Sequence, residues 1–202
     1  MSMPDTVQSV VQSQRNGPLI AAAAQLWIKD TDRVLDVTYG RGLFWTEYRP
    51  SDLTTHDIDI DGVDFRSLPH PNDSFDVIVF DPPYILRGGE PTSSTVAEFN
   101  DRYGLNGIHT MAELRDLIGG GLHEAIRVLT PSGRLLVKCT DQISSGKFVA
   151  NHLFVVSTCI AGGLTQVDEF VHYSGTGPGS WDRQIHSRRA HSFLCILQKG
   201  RA

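Results

Sequence analysis

The sequence predicts an α/β protein built on a mainly parallel sheet with helices on both faces. Apolar runs of strand length alternate with stretches of helical spacing, which calls for right-handed crossovers between parallel neighbours. The clearest run, Phe75-Asp76-Val77-Ile78-Val79-Phe80, reads as a buried strand by its length and β-branched content. The last two apolar segments have no helix between them, so the chain is expected to end in an antiparallel pair.

Residues 1–16 are polar, with Gln and Ser, and are expected to form a partly ordered arm; residues 17–202 read as one domain. Pro18 opens a helix through Ala21-Ala22-Ala23-Ala24-Gln25-Leu26-Trp27-Ile28, since proline suits a first turn whose N–H groups have no partner. Arg33-Val34-Leu35-Asp36-Val37 is a short strand that breaks into Thr38-Tyr39-Gly40-Arg41-Gly42, with a helix expected from Leu43 to Tyr48. Leu53–Ile58 and Phe75–Phe80 supply the next strands. Residues 85–110 lack periodicity, and a loop of that length within a domain is usually functional or mobile. Met111–Leu129 places Leu114, Leu117, Ile118, Leu122, Ala125, Ile126 and Leu129 at helical spacing. Gly119-Gly120-Gly121 weakens its middle by roughly 1 kcal/mol per glycine, so a division into two helices is open. Pro131-Ser132-Gly133 reads as a turn before the strand Arg134–Cys139. A helix over Val149–Ile160 and strands over Leu164–Tyr173 and His191–Gln198 complete the reading.

With 40% apolar and 20% charged residues in 202, the chain can bury an ordinary core. No apolar stretch has membrane-spanning length, and the start Met1-Ser2-Met3-Pro4-Asp5 has no secretory pattern. Cys139, Cys159 and Cys195 are widely spaced within apolar runs, as expected for buried free thiols in the cytoplasm and not for a disulfide set or a metal site. A net charge of −5 speaks against extended nonspecific binding to phosphates, although it leaves a local basic patch open.

Three strand ends carry chemistry. In Asp36-Val37-Thr38-Tyr39-Gly40-Arg41-Gly42 the glycines allow close approach of a ligand to the backbone, and the acid can bind a cationic or hydroxyl-bearing group. The dinucleotide fingerprint is not met, because Trp45 occupies the third glycine's place, and no Walker lysine follows. Asp57, after the next strand, stands where doubly wound folds commonly hold ribose hydroxyls, whereas Asp59 and Asp61 fit a solvated acidic loop equally well. Asp64-Phe65 either flanks an adenine ring or is a loop acid beside a core phenylalanine. Asp81-Pro82-Pro83-Tyr84 then follows the Phe75–Phe80 strand, 45 residues after Asp36. The prolines fix φ and donate nothing, which makes a stiff turn rich in acceptors.

These segments, together with Arg127-Val128-Leu129-Thr130-Pro131-Ser132-Gly133-Arg134-Leu135-Leu136-Val137, resemble the class I S-adenosylmethionine-dependent methyltransferases. The Asp-Pro-Pro-Tyr variant resembles in particular the amino-methyltransferases of adenine N6 and cytosine N4. The resemblance spans roughly residues 17–140 and implies a Rossmann-like sandwich with a mostly parallel, seven-stranded sheet and a terminal antiparallel strand. It implies that Asp36 and the backbone of Thr38, Tyr39, Gly40 and Gly42 hold the methionine part of S-adenosyl-L-methionine, Asp57 its ribose, and Asp64 with Phe65 its adenine. Asp81 and a carbonyl of Pro82-Pro83 would grip the target amine, and Tyr84 would stack on the target base.

An aromatic amine is a poor nucleophile because its lone pair is delocalised into the ring. Two acceptors aimed at its N–H bonds favour a pyramidal nitrogen, and they bind more strongly as positive charge develops there. In a duplex that amine is buried, so the base must be extruded or unpaired. Trp181, Arg183, His186, Arg188 and Arg189 are candidates for contacts to base and phosphates, as is Arg87 in a segment able to close over the target; a solvated hairpin loop whose Trp caps the core is the competing reading. DNA is favoured over RNA as substrate. Only residues 85–110 and 172–190 offer room for sequence recognition, so specificity is short, absent, or supplied by a partner or a second copy. An RNA amino-methyltransferase, a small-molecule amine methyltransferase and a noncatalytic cofactor-binding subunit are the alternatives.

Overall fold

The computed structural model describes residues 9–13, 15–84, 86, 108–175, 185–187 and 189–201. In chain order the elements are strand β1 (Val11–Ser13), helix α1 (Asn16–Trp27), strand β2 (Arg33–Asp36), a single 3₁₀ turn (Leu43–Trp45) and strands β3 (Asp52–Thr55) and β4 (Phe75–Phe80). Helix α2 (Met111–Val128), strand β5 (Leu129–Cys139), the hairpin β6 (Gln142–Ser144) and β7 (Lys147–Val149), helix α3 (Asn151–Ala161) and strands β8 (Leu164–Tyr173) and β9 (His191–Lys199) follow.

The main sheet has seven strands in the order β1-β8-β9-β5-β4-β2-β3. Strand β9, the last in the chain, runs antiparallel to both β5 and β8, and the other pairings are parallel. Alternation along each strand divides the core in two. Leu35, Ile78, Phe80, Leu135 and Val137 pack under α2 and α3, while Val34, Val77, Val79, Leu136 and Ile196 pack under α1 and the 3₁₀ turn. Both faces are covered, so β4 is apolar on both sides from Val77 to Phe80, with Asp76 near its start paired to Arg33.

The differences from expectation have local causes. The polar start contributes β1, paired parallel to β8 through Val11↔Val171. Val10 and Val11 are exposed, so backbone hydrogen bonds and not apolar burial dock this strand, and hydropathy does not reveal it. The helix expected over Leu43–Tyr48 is only the 3₁₀ turn. Phe44 and Trp45 bury there against α1, and α1 itself begins so close that a Cβ on Gly17 would lie 2.1 Å from Thr46 Oγ1. Strand β3 ends at Thr55, short of the expected Ile58. Pro131-Ser132-Gly133 lies within β5, where Ser132 takes a φ of +65° and the pairing with β4 shifts register. The hairpin β6–β7 has no counterpart in the sequence reading.

Helix α2 is continuous. Its start is a capping box in which Thr110 accepts from the Glu113 N–H and Glu113 accepts from the Thr110 N–H, an arrangement worth about 1 kcal/mol. The last of its three glycines is explained by neighbours: a Cβ on Gly121 would lie 2.5 Å from Phe80 Cζ and 2.7 Å from Phe65 Cδ2. The missing side chain lets two aromatic rings sit edge to face beneath the helix, with centroids 5.1 Å apart. No described helix is long and apolar enough to cross a membrane.

Candidate active site at the strand ends

The chain leaves β2 toward β3 on one side and returns through β4 to β5 on the other. The carboxyl ends of β2 and β4 therefore flank the point where strand order reverses, the place where open α/β sheets leave a crevice. Asp36 ends β2 and Asp81 follows β4. Both continue the alternation of Val34, Val77 and Val79, which puts them on the α1 side of the sheet. A cavity of about 330 Å³ opens there, lined by Asp36, Thr38, Tyr39, Gly40, Phe44, Asp57, Ile58, Asp59, Ile60, Phe65, Asp81 and Pro83, among others.

The glycine bend is held by two carboxylates. Asp36, 2% exposed, accepts from the Thr38 N–H at 2.9 Å and from the Trp45 indole N–H at 2.7 Å. Burial pushes its carboxyl up to about 7, against the pull of those two donors, and the negative charges of Asp81 and Asp57 push the same way. Asp57 accepts from the Gly40 N–H at 2.8 Å and from the Asp59 N–H at 3.0 Å. The backbone of His56 bridges the two strand ends, donating to Asp36 and accepting from Tyr39. Gly40 and Gly42 have φ of +53° and +69°, and a Cβ on Gly42 would lie 2.7 Å from the Tyr39 hydroxyl. The bend thus needs glycine for both conformation and space.

The Asp81-Pro82-Pro83-Tyr84 turn is clamped from several sides. Thr38 Oγ1 accepts from the Asp81 N–H at 2.8 Å, joining the two strand-end segments directly. Gln142, on the unanticipated hairpin, donates to the Tyr84 carbonyl at 2.9 Å and accepts from the Leu86 N–H at 3.2 Å. Asn151 donates to the same Tyr84 carbonyl and to Thr140. The Asp81 side chain is 24% exposed, with Oδ2 3.7 Å from Lys138 Nζ. Its other oxygen, Oδ1, is buried with no hydrogen-bond partner among the described residues. Burial raises the Asp81 carboxyl above its ordinary range, and the Lys138 ammonium opposes that rise.

The structure thus brings Asp36, Thr38, Tyr39, Gly40, Asp57, Phe65, Asp81 and Pro83 around one cavity, with Gly42 shaping its bend. Asp64 does not line it. Its carboxylate accepts from the Arg66 N–H and guanidinium, at distances down to 2.6 Å, and that pairing holds it below the usual carboxylate range. The Tyr84 ring lies to one side, with Lys138 Nζ 5.7 Å from its centre. Arg189 lies away from the cavity, over the Phe148 ring of the hairpin and donating to Ser187. Arg87, Trp181, Arg183 and Arg188 are outside the described residues. Sequence reasoning missed Trp45, Lys138, Gln142 and Asn151. Of these, only Lys138 carried a signal, as a charge inside the run Leu135-Leu136-Val137-Lys138-Cys139.

No family model matches the chain, and no curated protein matches it. Solved structures do resemble it. The cyclase SpnF is 14% identical with a TM-score of 0.56, covering 91% of this chain and 81% of its own. A provisionally named methyltransferase from Bacillus halodurans is 12% identical with a TM-score of 0.52, covering 90% and 98%. A provisionally named DNA modification methylase from Thermus thermophilus is 17% identical with a TM-score of 0.46; the match covers 69% of this chain, which spans about half the length of that methylase (53%). At these identities the likeness is one of architecture, and a fold shared by a cyclase and a methyltransferase does not name a reaction. The chain has the Rossmann-like fold of the class I methyltransferases.

Proposed function

We propose that this chain is an S-adenosyl-L-methionine-dependent N-methyltransferase whose target is the exocyclic amine of adenine (N6) or cytosine (N4) in DNA. The carrying observation is the Asp81 carboxylate: one of its oxygens is buried with no hydrogen-bond partner among the described residues, and the residue lines the same cavity as the bend from Asp36 to Arg41. An unpaired buried acceptor is costly unless a ligand supplies the donor.

The cavity residues fit the cofactor's chemistry. A carboxylate has about four acceptor positions, and Asp57 has two engaged, leaving capacity for ribose hydroxyls. Phe65 with Ile58 and Ile60 offers an apolar wall for an aromatic base. Asp36 is a natural partner for an ammonium group, whose charge would offset that carboxylate's burial. When bound, S-adenosyl-L-methionine supplies an electrophilic methyl group.

On the substrate side, the Asp81 carboxylate accepts one N–H of the amine and a carbonyl of the Pro82–Pro83 pair accepts the other. Their pull keeps the nitrogen lone pair out of the ring and strengthens as positive charge develops on nitrogen, which favours the transition state. Gln142 and Asn151 act through the Tyr84 carbonyl, fixing the turn so that little reorganisation is needed on substrate binding. Tyr84 supplies a stacking face for an unpaired or extruded base. The extra proton leaves the nitrogen after methyl transfer, to water or to Asp81.

Mass spectrometry of nucleosides from host DNA and RNA, with and without the expressed chain, tests this reading. N6-methyladenine or N4-methylcytosine gained in DNA is the expected result. A methylated base in RNA alone would move the substrate to RNA, and cofactor binding without a methylated base in either pool would leave a noncatalytic binder.

A further inference from the structure

We propose that Lys138 is the built-in counter-ion of Asp81, a positioning residue that keeps this carboxylate a charged, acceptor-only group facing the substrate amine. This role rests on Asp81 being the acceptor for that amine.

Strand β5 is central in the sheet, between β4 and β9, and Lys138 is only 5% exposed there. The pairings Phe80↔Val137 and Lys138↔Leu194 carry it to the position beside Asp81. Its ammonium lies 3.7 Å from Asp81 Oδ2 and 5.7 Å from the centres of the Phe44 and Tyr84 rings. Two aromatic faces and one carboxylate thus surround a cation that has been taken out of water. Stability does not account for a lysine at this position, because replacing a buried ion pair with apolar side chains of similar volume is often neutral or stabilising. Chemistry does account for it. A protonated Asp81 would turn an O–H donor toward an amine that itself needs acceptors. The two oxygens divide the work: Oδ2 faces Lys138, and Oδ1 is left without a partner among the described residues.

The other charges around the pair show why it is needed. On the β2 side, Asp36 senses the negative charges of Asp81 and Asp57. On the β8 side stands His172, whose Nδ1 is 3.3 Å from Ser192 Oγ and whose protonation is disfavoured by burial and by the Lys138 charge. Without Lys138, Asp81 would be left with the Asp36 carboxyl and a histidine whose protonation burial still disfavours.

The test uses the full chain as wild type, Lys138→Met and Lys138→Arg. Aspartate carboxyl carbons labelled with carbon-13 are titrated by NMR, and the Asp81 signal is assigned with Asp81→Asn. The Asp81 midpoint is expected to rise by about one to three pH units in Lys138→Met and to return toward wild type in Lys138→Arg. The acid limb of kcat/KM for methyl transfer to DNA should follow it, with about tenfold lost for each pH unit below the raised midpoint. Calorimetric affinity for S-adenosyl-L-methionine should stay within about twofold, reporting an intact cavity; if Lys138→Met does not fold, Lys138→Gln is read in the same titration. An Asp81 midpoint that stays put in the charge-neutral variant overturns the role of Lys138. So does a loss of rate that is equal at every pH and is not recovered by arginine. If the wild type methylates nothing while the Asp81 midpoint still follows residue 138, the methyltransferase reading falls and the pairing stands.

Discussion

Replacing Gly121 with alanine tests how helix α2 shapes the cavity. Alanine is favoured over glycine in a helix interior by about 1 kcal/mol. At Gly121 the new methyl carbon would lie 2.5 Å from Phe80 Cζ and 2.7 Å from Phe65 Cδ2, closer than real side chains pack. Phe80 is fully buried on β4, one residue before Asp81, and has nowhere to go. Phe65 is half-buried and lines the cavity, so it is the ring that yields. Overpacking of this kind costs about 1–3 kcal/mol, which leaves Gly121→Ala less stable by about 0–2 kcal/mol after the helix gain. Gly119 is the internal control: a Cβ there meets Phe154 Cζ at 3.8 Å, an ordinary contact, so Gly119→Ala should gain about 1 kcal/mol. Urea unfolding followed by circular dichroism should therefore separate the two variants by about 1–3 kcal/mol, with Gly121→Ala the weaker. Calorimetry should show weaker binding of S-adenosyl-L-methionine to Gly121→Ala alone. Equal stabilisation by the two alanines, with unchanged affinity in both, would refute the coupling of α2 to the cavity through Phe65.

Three further outcomes follow from the site. Burial raises Asp36 to about 7 in the free protein, and an ammonium group beside it would lower that value; binding of S-adenosyl-L-methionine near neutral pH should release a proton and tighten as pH rises through 7. Calorimetry in buffers of different ionisation enthalpy reads this directly, and proton uptake, or no exchange, would contradict it. Trp45→Phe removes the indole donor to the Asp36 carboxylate, so it should cost about 1–3 kcal/mol in urea unfolding and move the pH dependence of cofactor binding further alkaline; an unmoved pH profile would count against the assignment. Gln142→Ala removes one of the donors to the Tyr84 carbonyl and the side-chain acceptor of the Leu86 N–H, so methyl transfer should fall at least tenfold, measured as kcat/KM, while cofactor affinity holds. Weakened cofactor binding in that variant, with the transfer step untouched, would place Gln142 elsewhere in the mechanism.

Much of this architecture was legible because strands buried on both faces announce themselves. Phe75–Phe80 has the limits read from sequence, and helix α2 buries Leu114, Leu117, Ile118, Leu122 and Ala125 as their spacing requires. The misread elements are those whose cause lies elsewhere in the fold. Gly119-Gly120-Gly121 suggests a break, but the helix runs through it, with Phe65 and Phe80 packed beneath Gly121. Strand β1 is polar because its docking is by backbone pairing to β8. The segment after Gly42 has helical residues but is pinned into one 3₁₀ turn by burial of Phe44 and Trp45. In the site, residues read at strand ends converge, since strand ends are fixed by local pattern and the sheet brings them together. Asp64 is not among the residues lining the cavity, and its carboxylate pairs with Arg66, two residues on. Lys138, Gln142 and Asn151 are remote in sequence from the groups they hold, and only the β4–β5 register and the β6–β7 hairpin reveal them.

The most direct test of the central claim is single-turnover methyl transfer to DNA by Asp81→Ala, run beside wild type with isotopically labelled S-adenosyl-L-methionine. Loss of transfer by at least roughly a hundredfold, with cofactor affinity close to wild type, is the predicted result, because the variant removes an acceptor that acts mainly as charge develops on the amine nitrogen. Transfer at the wild-type rate by Asp81→Ala would contradict it.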